Sequence, residues 1–142
     1  LYDNGYNTAY FGKCHWIKPT SVFDQNANYV GTTSLPGGYL PNNFDIYIPP
    51  GPDRHSIEYW YQVLKDNHFS QHVYSNDPDV IDGKSDGEMY KSNEFSSKHE
   101  ARTIIDYLKN NRQQRDPDKP FCITWSLNPP HPPYNKIGDC ET

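Results

Sequence analysis

Apolar positions along this chain come in short bursts separated by long polar stretches. Residues 6–12, Tyr-Asn-Thr-Ala-Tyr-Phe-Gly, are rich in aromatic and β-branched types and predict a short strand. Residues 16–43 hold Pro19, Gly31, Pro36, Gly37, Gly38 and Pro41 among several Asn, the composition of a loop. Phe44 to Ile48 is a strand candidate stopped by Pro49-Pro50-Gly51-Pro52, after which Asp53 is placed to cap a short helix. Tyr59 to Leu64 predicts a further strand, with Gln71 to Ser75 as its hairpin partner.

The clearest periodicity runs from about Ser97 to Asn111. Ser97-x-x-Glu100 has the form of a capping box, and Ala101, Ile104, Ile105 and Leu108 follow at i, i+3, i+4 and i+7, one helical face. Arg112 to Pro120 is a polar exit. Phe121 to Leu127 is then a nearly continuous apolar run, the pattern of a strand buried on both faces of a parallel sheet. It stops at the proline-rich loop Asn128 to Tyr134. The order strand, long excursion, helix, strand predicts an α/β fold: one parallel crossover with a loop-rich insertion over 16–95 and a helix, strand and loop over 97–134. No internal repeat is visible. So few regular elements offer little area for an independent core, so the piece alone is expected to be unstable or to self-associate.

Composition sharpens this picture. Apolar residues make up 34% of the 142, yet 12 Tyr, 6 Phe and 3 Trp raise the aromatic share to 15%, too high for a disordered polar chain. The net charge of −5 lacks the basic footprint of a nucleic-acid binder. No apolar run reaches the roughly 20 residues of a membrane helix. The opening Leu1-Tyr2-Asp3-Asn4-Gly5 reads as a helix exit with a glycine cap rather than a signal peptide, so the chain is expected to be cut from something longer. Cys14, Cys122 and Cys140 show no zinc spacing, and Cys122 reads as a buried apolar filler.

Candidate chemistry lies at the strand exits. In extended backbone Lys13 and His15 share a face, at the C-terminal end of the first strand, where open α/β sheets place ligands. A lysine suits a sulfate or phosphate oxygen, and a neighbouring His can donate a hydrogen bond or move a proton. His131 sits among Pro129, Pro130, Pro132 and Pro133, past the end of the second buried strand. Fixed φ angles leave such a loop little freedom to lose on binding. One Lys and two His at one sheet edge have the make-up of an anion site. Spacing alone equally accommodates a solvated Lys13, a hydrogen-bonded loop His15 and an incidental His131. Tyr39, Tyr47, Tyr59, Trp60, Tyr61 and Tyr74 read either as sugar-stacking faces or as the insertion's own core. Arg54 and His55 are the candidate substrate contacts of that region.

Gly5-Tyr6-Asn7-Thr8-Ala9-Tyr10-Phe11-Gly12-Lys13-Cys14-His15-Trp16 resembles a sulfatase signature, G-Y-x-T-x-x-x-G-K-x-H, in which Trp usually stands where Cys14 does. Phe121 to Tyr134 is similar to the later sulfatase stretch that ends in a P-H-x-P-Y loop. Pro49 to His55 with Tyr59-Trp60 looks like the variable region of bacterial sulfatases that act on carbohydrates. The resemblance implies a partial alkaline-phosphatase-like sheet and hydrolysis of sulfate monoesters, on a sulfated small molecule or glycan. It further implies that Lys13 contacts sulfate and the formylglycine hydrate. His15 would hydrogen-bond the formylglycine hydroxyl, and His131 would bind a sulfate oxygen on the leaving-group side. A periplasmic or secreted location is implied as well.

Absences in the sequence matter equally. No Cys-x-Pro-x-Arg or Ser-x-Pro-x-Arg occurs, and Ser34-Leu35-Pro36 lacks the following Arg. Neither an Asp-Asp pair nor Asp-His-Gly is present, so the formylglycine and the ligands of the calcium ion that the resemblance implies are expected outside this chain. Without nucleophile and metal the isolated chain is expected to be inactive. Two alternatives remain: a phosphate or phosphonate ester hydrolase of the same superfamily, and a non-catalytic carbohydrate-binding module.

Overall fold

The computed structural model describes residues 1–14, 16, 47–64 and 68–129. A turn of 3-10 helix, Tyr2–Asn4, ends at Gly5 with φ 77°, a left-handed cap that suits glycine. The chain then enters β1 (Asn7–Lys13). Another 3-10 turn, Pro52–Arg54, precedes β2 (Tyr59–Val63) and β3 (His72–Ser75). A two-residue strand β4 (Tyr90–Lys91), the helix α1 (Ser96–Lys109) and β5 (Phe121–Ser126) follow.

These strands form one five-stranded sheet in the order β4-β3-β2-β1-β5. β1 runs parallel to both β2 and β5, whereas β3 and β4 are antiparallel additions. The fold is therefore α/β, with α1 as the crossover that returns the chain to a strand parallel to β1. The strands expected at 59–64 and 71–75 are present and pair antiparallel as hairpin partners. They extend the same sheet, and β2 packs beside β1 with Lys13 in register with Val63.

Alternation along β1 sorts the core into two faces. Ala9 and Phe11 meet Tyr59, Tyr61 and Val63 under Ile104 and Tyr107 of α1. Tyr10 and Cys14 meet Ile48 and Trp60 on the other side. The rings interlock: Phe11 lies 5.1 Å from Tyr59 and 5.8 Å from Tyr107, and Tyr10 stacks on Trp60 at 5.2 Å. Tyr47, Tyr59, Trp60, Tyr61 and Tyr74 are all buried. Of the two readings of the aromatic set, packing is the one realised for them; Tyr39 lies outside the described residues, as do 17–46. Asp53 sits inside its 3-10 turn, whose cap is Gly51, and Tyr47 and Ile48 are buried in irregular backbone rather than a strand.

Three expectations are corrected at α1 and β5. The N-cap of α1 is Phe95, with no side-chain cap bond, so the capping box is not formed. Glu100 instead turns inward, where Trp125 Nε1 donates to its Oε2 at 2.6 Å. The buried face of the helix is Ser96, His99, Glu100, Thr103, Ile104 and Tyr107, leaving Ile105 48% and Leu108 41% exposed. Polar side chains with partners in the sheet, and the large ring of Tyr107, have taken the inward positions that an aliphatic count assigned to Ala101, Ile105 and Leu108. Finally, β5 is not covered on both faces. Among the described residues it is the last strand of the sheet, with Phe121 and Trp125 each 43% exposed, and Cys122 is half-buried with a free thiol.

Candidate anion site at the exits of the parallel strands

Three parallel strands, β2, β1 and β5, end at one edge of the sheet, and β1 lies between the other two. Lys13 is the last residue of β1 and is partly exposed. Gly12 beside it faces Gln62 of β2 and Ser126 of β5. Its φ is 111°, and a Cβ there would lie 1.9 Å from the Ser126 carbonyl oxygen. Only glycine lets β1 and β5 approach this closely just before Lys13. The Tyr10 hydroxyl donates to the Lys13 carbonyl, and burial pushes that phenol's pKa up, so it stays a protonated donor.

The N-terminal turn of α1 reaches this edge too, because the crossover helix starts where β1 ends and runs back to the start of β5. Ser96 N donates to the His68 carbonyl at 2.7 Å. One turn on, Glu100 is buried, and burial raises its carboxyl from 4.5 to about 7 against the opposing hydrogen bond from Trp125. His99 bonds to the Tyr61 hydroxyl through Nδ1, and burial, with Arg102 nearby, lowers its pKa.

The residues singled out in the sequence fare differently. Lys13 stands at the C-terminal edge as expected of its strand position. His15 and His131 lie outside the described residues. What is seen of their supports is that β1 and β5, which lead into them, exit side by side. Arg54 is buried. Its Nε and NH2 donate to the Ile48 carbonyl at 3.0 and 2.7 Å, and NH1 and NH2 grip Asp86 at 2.7 and 2.9 Å. The guanidinium also stacks over Trp60 at 4.8 Å. Its described partners are thus internal. His55 is exposed at φ 50°, its ring 5.8 Å from that of Trp16. A cavity of about 510 Å³ lies at the opposite edge, between Asn7, Glu58, Tyr107 and Asp116, away from Lys13.

Sequence reasoning passed over His68, Asn128 and the Glu100–Trp125 pair. Asn128 carried a signal, standing immediately before the Pro-Pro-His run, whereas His68 carried none. Among the described residues no group of three or more His, Cys, Asp or Glu is arranged to hold a metal ion. Calcium therefore has no ligand set among the described residues.

A parallel crossover, a glycine at the strand contact and a lysine on the C-terminal edge are features of an α/β segment, and its likeness to sulfatases almost from end to end makes this chain a fragment of a sulfatase. No family model matches it. It is 36% identical over 141 residues to an endo-4-O-sulfatase of Bacteroides thetaiotaomicron, a match covering 96% of this chain and 24% of that protein. A solved structure of a 4S-sulfatase, described in work on glycosaminoglycan metabolism by Bacteroides thetaiotaomicron, superposes with a TM-score of 0.71 at 33% identity. That alignment covers 98% of this chain and 26% of the other. The chain thus spans about a quarter of the length of these relatives. No helix among the described residues is long and apolar enough to cross a membrane.

Proposed function

We propose that the protein carrying this segment hydrolyses sulfate monoesters of a carbohydrate, and that the segment supplies part of its sulfate-binding wall. The observation that supports this best is the placement of Lys13 at the common exit of β1, β2 and β5, in a chain whose likeness to sulfatases runs almost end to end. Lys13 would bind sulfate as a point charge, His15 would hydrogen-bond the nucleophile's hydroxyl, and His131 would meet an oxygen on the leaving-group side. A positive wall stabilises charge that builds on the sulfuryl oxygens as the ester bond breaks. Formylglycine and calcium would both come from elsewhere in the protein. The described thiols give no support to a nucleophile here: Cys14 is packed in the core with Tyr10, Ile48 and Trp60. The segment alone is therefore inactive, and a secreted or periplasmic setting fits the carbohydrate substrate.

By analogy with the two relatives, a 4-O-sulfated glycosaminoglycan is the substrate class to try first. Full-length protein should release inorganic sulfate from such an oligosaccharide, and Lys13→Ala should lower kcat/KM by at least about a hundredfold. Equal turnover in the variant would remove Lys13 from the site. Release of phosphate but not sulfate from matched esters would favour the phosphatase alternative.

A further inference from the structure

Strands β2 and β5 are not neighbours. β1 separates them, so their axes stand roughly 10 Å apart. Yet Asn128, two residues past β5, places its Nδ2 3.4 Å from Nδ1 of His68, five residues past β2. Both side chains are buried. The contact therefore joins the segments that follow the two strands flanking β1, the strand that ends at Lys13. His68 is itself fixed: its carbonyl takes the Ser96 amide at the start of α1, and its ring lies edge-on to Phe95 at 6.4 Å.

A second arm ties the same region from the side. Trp125, three residues before Asn128, donates to Glu100, one helical turn past Ser96. The path from Asn128 to His68, Ser96, Glu100 and Trp125 closes on itself through β5. Three buried atoms on it, Asn128 Oδ1, Ser96 Oγ and Glu100 Oε1, have no hydrogen-bond partner among the described residues. Buried polar atoms are left in this state rarely, and their recurrence along one path marks a region shaped for something other than stability.

The geometry points to His68 and Asn128 as positioning residues for the sulfate site, an inference that rests on the sulfatase reading. Asn128 is followed in sequence by Pro129, Pro130 and then His131. Prolines have fixed φ, so anchoring Asn128 limits where the chain that carries His131 can start. Neither residue touches sulfate in this account. Their bridge sets the spacing between the β5 exit and Lys13, and small misplacements of a binding group cost rate steeply.

The test uses full-length protein with His68→Ala, Asn128→Ala and His68→Asn, the last keeping an acceptor where Nδ1 stands. Each is assayed for release of sulfate from a 4-O-sulfated oligosaccharide, for binding of inorganic sulfate by calorimetry, and for Tm. Both alanine variants should lose about tenfold in kcat and weaken sulfate binding about fivefold, with Tm within about 2 °C of wild type. His68→Asn should recover most of both losses. Unchanged sulfate binding in the alanine variants would overturn the inference, as would a loss that His68→Asn does not restore. Were wild-type protein to bind sulfate but hydrolyse no sulfate ester, the functional reading would fall, while the comparison of sulfate affinities would still decide the role of the bridge.

Discussion

Two buried charged side chains show how context overrides residue type. Glu100 was read as half of a capping box, yet it lies against Trp125 with one oxygen unpartnered among the described residues. Its carboxyl titrates at 4.5 when unfolded and at about 7 in the fold. Between these pH values the folded state holds a proton that the unfolded state has lost, so stability rises as pH falls through the window. Ionised, the buried group costs on the order of 3 kcal/mol. His99 acts in the opposite sense: burial lowers its pKa, so stability falls as pH drops below 6.5. The Glu100 contribution is isolated by difference. Glu100→Gln should raise Tm relative to wild type at pH 8, and the gap should close by pH 5. A gap independent of pH would show that the carboxyl is ionised throughout. Arg54 is the other case, its fork closed on Asp86 and the Ile48 carbonyl. Arg54→Met strands Asp86 and should destabilise by about 2–4 kcal/mol in a denaturant titration, with turnover per folded molecule retained. Lost turnover at unchanged stability would instead return Arg54 to substrate contact, the role its sequence setting suggested.

At the level of elements, β1 governs the rest. Its exit geometry depends on Gly12, where any Cβ would run into the Ser126 carbonyl. Gly12→Ala combines backbone strain with forced separation of β1 and β5, and should cost at least about 2 kcal/mol. A variant as stable as wild type would mean that the strands can part without penalty. β1, β2, β3 and the span of α1 were legible in the sequence because each has its own local pattern: aromatic and β-branched bursts, or a helical repeat. The buried face of α1 was not. Ile104 belongs to it, but Ile105 and Leu108 point outward while His99 and Glu100 point in, because partners for those polar groups sit on strands distant in sequence. The run at β5 differs for a related reason: continuous hydrophobicity records how many faces can be buried, and among the described residues part of those faces is left uncovered.

For the molecule as a whole, the candidate site was legible only in part. The strand-end position of Lys13 was legible because the aromatic and β-branched run ahead of it marks the strand it closes. The His68–Asn128 bridge was not, since it joins segments 60 residues apart through a contact that no local pattern encodes. The insertion likewise gave no sign that β2 would run parallel to β1 and enlarge the sheet. That enlargement matters, because it makes β1 an interior strand and sets Lys13 between two other exits rather than at a margin.

The central claim is that Lys13, His15 and His131 surround one tetrahedral oxyanion. A crystal structure of the full-length protein with a sulfated oligosaccharide, or with sulfate itself, tests it most directly. The account predicts Lys13 Nζ and an imidazole nitrogen from each of His15 and His131 within about 3 Å of sulfate oxygens. A sulfate bound elsewhere, with Lys13 turned away from it or His131 on the opposite rim of the sheet, would contradict it.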